Sequence, residues 1–372
     1  MLFIPYKHLY ISGTSYVSAD EPDYKEVITD ANSRRRMGRL LKMAVWCGLK
    51  SLDGVPSERV AGIITSTGAG FMKDTISFGS SIFDREETLL NPSPFMQSTF
   101  NTASGYIALI RKIHAYNTTY VQQAGGFAAS LVDAAMLLDD AGEGNVALVG
   151  AFDEVTPEVD VIRQRLGLYR VGDGFLQLGE GAAAFLLSAA MPTDGSGSCW
   201  VTESSAGPGG GDGSESDSVR DGDEAGSESA SEHGGDANSE FSTGPLHESE
   251  SASEHGGESG SKSSFCPLHE YGGTSSNSLN GTKDGNAALR FCGLANLSSL
   301  PKCAGNPIAE LFGINAGVNV ISCVDHVESL GAFRSLLPVL LCKLISEQQI
   351  PDGYTAIVDD VNEDGVIVLL HK

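Results

Sequence analysis

Few residues of this 372-residue chain have the spacing that chemistry requires. Its seven cysteines include no C-x-x-C pair, so they predict neither a zinc site nor a disulfide framework. Of the eight histidines, His233, His247, His255 and His269 fall in one Ser/Gly/Glu-rich segment. Loose metal capture by His and Glu is the functional reading there, but no ligand spacing fixes a geometry, and a solvated spacer is the simpler one. The remaining histidines are His8, His114, His326 and His371. Gly68-Ala-Gly70 lacks the third glycine and following acid of a dinucleotide fingerprint, and neither a Walker A nor a G-x-S-x-G sequence occurs. Arg34, Arg35, Arg36 and Arg39 form the one dense basic cluster. It is a solvated helix face by default, and the sole candidate for docking an acidic partner. No metal and no cofactor are expected.

The elements that would position such residues alternate between strands and helices. Val60–Thr65 reads as a buried strand running into the glycine turn. Arg34–Leu52 carries Met37, Leu40, Leu41, Ala44, Val45 and Leu49 at helical spacing. Further helices are expected over Ala103–His114, Gly126–Leu138 and Ser329–Ile345. Further strands are expected at Thr118–Gln122, Val146–Val149, Ala182–Leu187, Val318–Cys323 and Gly365–Leu370. This alternation predicts an α/β layered fold.

Composition bounds the rest. A formal net charge of −24 argues against nucleic acid as a partner, because phosphate binding needs clustered Lys and Arg. No apolar run is long enough to span a bilayer, and the first residues are too short and polar for a secretory signal. A cytoplasmic location is expected. The acidity is concentrated: Val201–Asp284 holds 17 acidic residues against 3 basic ones. Within it SESASEHGG occurs at Ser227–Gly235 and again at Ser249–Gly257, and PLHE at Pro245–Glu248 and again at Pro267–Glu270. So little apolar surface cannot offset the entropy of ordering the chain. Residues 200–285 are therefore expected to be a disordered acidic insert between an N-terminal half, 1–199, and a shortened C-terminal half, 286–372.

Read in order, several segments resemble the β-ketoacyl-ACP synthase family of the thiolase fold. Asn91-Pro-Ser-Pro-Phe95 and Asn101-Thr-Ala-Ser-Gly105-Tyr-Ile107-Ala108 look like the family's helix before the nucleophile strand. Asn145–Gly150 looks like its strand ending in a glycine pair. Asp173-Gly174-Phe175-Leu-Gln-Leu-Gly179-Glu180-Gly181-Ala182 matches a D-G-F-x-x-G-E-G-A signature with one extra residue. Cys323-Val-Asp325-His326, with Leu330-Gly331-Ala332 after it, resembles the K-x-x-x-G-H-x-x-G-A-A-G block. The resemblance covers most of 1–190 and roughly 310–372, and it implies a thiolase-like α-β-α-β-α layering.

The departures decide what this implies for function. In a condensing enzyme of the family the nucleophile is a Cys at the start of a buried helix, where the helix terminus lowers the thiol pKa. The matching stretch here is Thr119-Tyr-Val-Gln-Gln123-Ala-Gly-Gly126, with Gln123 in the Cys position. Shifting by one or two residues would put Gln122, Ala124 or Gly125 there, and none of these is a nucleophile. Of the family's two histidines, His326 fits the G-H position, with Asp325 replacing the glycine and Ile321 the lysine. No H-G-T is present. His326 reads equally well as a hydrogen-bonded core residue, and His114 as a helix-end residue.

The Q-A-G-G string resembles the chain-length-factor subunits of type II polyketide synthases, relatives that lost the Cys and pair with an active synthase. The resemblance implies a non-catalytic subunit in fatty acid, polyene or polyketide elongation, partnered by an active β-ketoacyl-ACP synthase and, directly or indirectly, by an acyl carrier protein. The dimer surface it implies lies along Phe95–Asn117 and Thr118–Gln123, with Phe100, Tyr106 and Ile113 as interface or core. Two alternatives stand beside it. One is a malonyl-ACP decarboxylase in which Gln123 holds an enolate oxygen and His326 assists. The other is a decayed paralogue.

Overall fold

A computed structural model describes residues 9–171, 173–191, 200–201, 288–301 and 306–372. The first half runs β1 (Leu9–Val17), α1 (Ala31–Arg36), α2 (Arg39–Ser51), β2 (Val60–Thr67), α3 (Met72–Asp84), α4 (Pro92–Gln97), α5 (Thr102–Arg111), β3 (Tyr116–Val121), α6 (Gly125–Ala141), β4 (Val146–Asp153) and α7 (Pro157–Leu166). A small hairpin, β5 (Arg170–Val171) with β6 (Gly174–Phe175), leads into β7 (Gly181–Ser188). After the two-residue β8 (Trp200–Val201), the second half contributes β9 (Arg290–Asn296), α8 (Pro307–Leu311), β10 (Val318–Ser322), α9 (Val327–Leu330), α10 (Leu336–Ser346), β11 (Tyr354–Val358) and β12 (Val366–His371). Apart from Trp200 and Val201, the expected acidic insert and its four histidines lie outside the described residues.

The large strands form one mixed sheet in the order β10-β11-β12-β9-β1-β7-β4-β2-β3, with β8 beside β1. The two halves repeat each other about the junction of β1 and β9. In each, the first strand pairs antiparallel with the last (β1 with β7, β9 with β12), and the last pairs antiparallel with the one before it (β4, β11). The next strand outward is parallel to that one (β2 on β4, β10 on β11). Only the first half adds a further parallel strand among the described residues, β3 on β2. Among the described residues the second half lacks that strand, and within the sheet the halves join through two residue pairs, Leu9 with Phe291 and Tyr10 with Arg290.

Side-chain alternation builds the layers, because successive strand residues face opposite sides. Ala147, Val149 and Ala151 of β4 join Ala183, Phe185 and Leu187 of β7 in a central core with α6 and α10. Val146, Leu148 and Phe152 face the other way, with Ala182, Ala184 and Leu186, onto α2 and α5. In the second half Val366, Val368 and Leu370 point to the central core, while Ile367 and Leu369 pack on Ile308 of α8. The result is the expected α-β-α-β-α layering, carried by a hydrogen-bonded strand path that runs through both halves. Gly48 lets α2 and α5 close on each other, since a Cβ there would meet Ile107 Cδ1 at 2.3 Å.

Two expected helices are broken. The Arg34–Leu52 pattern is divided at Met37–Gly38, where Met37 is extended and the buried Gln97 fills the gap. Gln97 accepts from Gly38 N–H at 2.9 Å and donates to the Arg36 carbonyl. The break also splits the basic cluster. Arg39 is committed to Glu21 and Glu180, and Arg34 donates to the Ile28 carbonyl, leaving Arg35 and Arg36 exposed. The Ser329–Ile345 pattern is divided by Gly331–Ser335. Here the chain leaves the helix so that Ala332 can exchange hydrogen bonds with Gln177 and Gly179, at 2.7 and 3.2 Å. Gly331 has φ +78, and a Cβ on it would lie 2.3 Å from Gly179 N. The two motifs that carry the family resemblance therefore meet backbone to backbone.

Candidate functional site

The turn between β3 and α6 holds Gln123, the residue expected at the family's nucleophile position. β3 ends at Val121, and the Gln122 carbonyl accepts from Gly126 N–H at 2.7 Å. Gln123 then adopts φ 36, in the left-handed region that costs a non-glycine residue about 1 kcal/mol or more. This kink turns the chain directly into α6, whose N-cap Ala124 provides no side-chain hydrogen bond. The first turn of α6 lies hard against β2: a Cβ on Gly126 would be 3.2 Å from Ser66 Cβ. Its partial positive end is thus open beside Gln123. A thiol there would be activated, whereas a carboxamide has no nucleophilic form.

An open cleft of about 500 Å³ lies at this turn, lined by Gln122, Gln123, Gly125, Asn296, Glu363 and Asp364. Its far wall is the β11–β12 loop, held from behind by Asp359. The two carboxylate oxygens of this buried residue accept from Asn362 Nδ2 at 3.1 and 2.9 Å, and one also accepts from Asn362 N–H at 3.2 Å. Asn362 in turn accepts from the Tyr169 hydroxyl at 2.9 Å and donates to the Phe333 carbonyl at 3.3 Å. Burial, offset in part by the Asn362 donors and reinforced by Asp360, pushes the Asp359 carboxyl up to about 6. Asp364 faces Arg334 at 3.8 Å, and the same guanidinium lies 5.8 Å from the Tyr169 ring centre.

Behind this wall a second buried carboxylate ties the halves together. Asp153, at the end of β4, accepts from Thr67 Oγ1, Gly68 N–H and Ala69 N–H through one oxygen, and from Ser335 Oγ through the other. Burial raises its pKa against the pull of these four donors.

The structure brings Gln123 into the cleft but not His326. His326 ends the short turn Cys323–His326 before α9; it is half-buried and does not line the cleft. Cys323, three residues earlier, is fully buried, and its thiol is pushed far up by burial and by the charges of Asp359 and Asp360. Such a thiol is inert. No group of three or more metal-ligating side chains occurs among the described residues. Asn296, Glu363 and Asp364 escaped the sequence reading. They lie far from Gln123 along the chain, and only the turn signature Asn362-Glu-Asp-Gly365 marks a tight loop between two apolar strands.

Residues 14–165 match a family model, beta-ketoacyl synthase, N-terminal domain. This stretch resembles the N-terminal domain of the β-ketoacyl synthase family. Two solved structures share the ketosynthase fold across nearly the whole chain. One is the ishigamide ketosynthase/chain length factor, 12% identical, covering 98% of this chain and 99% of its own at a TM-score of 0.55. The other is AntDE:AntF, a type II PKS acyl-carrier protein in complex with its ketosynthase bound to the hexaketide, 13% identical, with 98% of each chain covered and a TM-score of 0.55. No curated protein sequence matches closely enough to count as a relative. Among the described residues β3 and β10 are the two ends of the sheet, and no helix is long and apolar enough to cross a membrane.

Proposed function

We propose that this chain is a non-catalytic, chain-length-factor-type subunit that pairs with an active β-ketoacyl-ACP synthase in fatty acid, polyene or polyketide elongation. The observation that carries the reading is the edge strand β3. Among the described residues it pairs only with β2, and its sequence Tyr-Asn-Thr-Thr-Tyr-Val has none of the Lys or Pro residues that protect natural edges. Around it stand Leu109, Ile110, Tyr116, Val121 and Met136, with Leu109 74% and Met136 64% exposed. An unguarded edge flanked by apolar side chains is suited to strand-to-strand pairing with a partner of the same fold. Of the three residues first expected at this surface, Phe100 is exposed, Tyr106 is half-buried, and Ile113 belongs to the core beneath α2.

The role follows from the turn before α6. Gln123 removes acyl transfer from this chain, so condensation falls to the partner. The solved ketosynthase complexes of the same fold include a chain length factor in one case and an acyl-carrier protein in the other, which supports the partner classes. Reconstitution tests this. Adding the chain to the intact synthase of the same genome, with its carrier protein, is expected to change the length or yield of the product. An unchanged product spectrum contradicts the proposal.

A further inference from the structure

The cleft beside Gln123 has a one-sided charge. Three of its lining side chains are neutral amides, Gln122, Gln123 and Asn296, and two are carboxylates, Glu363 and Asp364. Among the described residues no Lys, Arg or His lines it. Arg334 approaches Asp364 from behind at 3.8 Å, while Glu363 is exposed and has no ion-pair partner among the described residues. The rim therefore has a surplus negative charge. Amides donate and accept hydrogen bonds without charge, which suits a neutral, amide-bearing thioester arm or a neutral acyl group. A ligand ending in a carboxylate would instead face Glu363, whose full charge outweighs the partial positive end of α6, about half a charge, while Arg334 is taken up by Asp364.

We propose that Glu363, seconded by Asp364, makes this cleft selective for neutral acyl thioesters and closed to carboxylate-bearing ones. The inference rests on the reading of the cleft as a synthase-type acyl site, and it weighs against the alternative in which Gln123 serves a malonyl decarboxylase. Because both acids are exposed, water screens them, and discrimination is expected to be about five- to tenfold at low ionic strength and to fade with salt.

Binding of acetyl-pantetheine and malonyl-pantetheine to the full-length chain, by ligand-observed NMR at low and high salt, tests it. The neutral probe is expected to bind about five- to tenfold tighter at low salt, with the gap closing at high salt. E363Q is expected to narrow the gap at low salt by admitting malonyl-pantetheine. D352N, which removes an exposed acid outside the cleft, is expected to leave the ratio as it is. Equal affinities at low salt, tighter malonyl binding, or no binding of the neutral probe each overturn the proposal. Native mass spectrometry on the same preparations reads partner pairing separately. Loss of selectivity with pairing intact sinks this inference alone, and selectivity without pairing sinks the subunit reading alone.

Discussion

Asp153 accepts a hydrogen bond from Ser335 Oγ at 2.6 Å, and through it the end of β4 in the first half is tied to the start of α10 in the second. Both residues are buried, and the same carboxylate gathers the chain after β2 through Gly68 and Ala69. Ser335→Ala deletes one of four donors to a buried carboxylate. It is expected to lower unfolding free energy by about 1–3 kcal/mol, read by denaturant titration. A change within about 0.3 kcal/mol would mean that the link is dispensable.

Gly179 and Gly331 make a second close link between the halves. A Cβ on Gly179 would fall 1.9 Å from the Leu330 carbonyl oxygen, where no flexible side chain can give way. Gly179→Ala is expected to leave little soluble protein. Gly79→Ala, in the middle of α3 with open space around it, is expected to stabilise by up to about 1 kcal/mol. Equal soluble yields and melting temperatures for the two variants would show that the halves are not locked at this contact.

Asp359 makes stability depend on pH. Its carboxyl is raised to about 6 in the fold from 3.8, so the folded state takes up this proton at higher pH than the unfolded chain does. The fold accordingly gains stability as pH falls from about 6 to about 4, by roughly 3 kcal/mol if Asp359 acts alone. Cys323, Asp360 and Tyr169 are the titratable groups around it. Asp153 and Glu154, also raised by burial, act in the same direction. Denaturation midpoints across this range are expected to rise with acidification in the parent and to flatten in Asp359→Asn. A parent whose stability falls steadily over that window would contradict the assignment.

The β3 edge predicts a separation of stability from association. Val121→Lys together with Met136→Lys adds charge to exposed positions, and is expected to change stability by less than about 0.5 kcal/mol. Binding to the synthase partner is expected to weaken tenfold or more, since like edges are commonly blocked by lysine. Unchanged binding would move the interface elsewhere.

Much of the central fold was legible because its strands are apolar on both faces and its core helices keep strict spacing: Val146–Val149 and Ala182–Leu187 sit inside β4 and β7, and Gly126–Leu138 inside α6. β1 was not legible, since Ser12, Gly13, Thr14 and Ser15 interrupt its apolar residues; it is a strand because three neighbours pair with it. The helix breaks at Met37–Gly38 and Gly331–Ser335 were hidden for the opposite reason. Apolar spacing runs on through both, and only contacts from Gln97 and from Gln177–Gly179 end the helices there. At the candidate site Gln123 was legible from the motif around it. Glu363 and Asp364 were not, because a charged hairpin turn has the same sequence whether it faces solvent or walls a cleft.

Native mass spectrometry after co-expression with the intact β-ketoacyl synthase of the same genome tests the central claim most directly. The account predicts a stable one-to-one heterodimer that the β3 edge variant disrupts. A lone monomer, or a homodimer indifferent to the presence of the synthase, would contradict it.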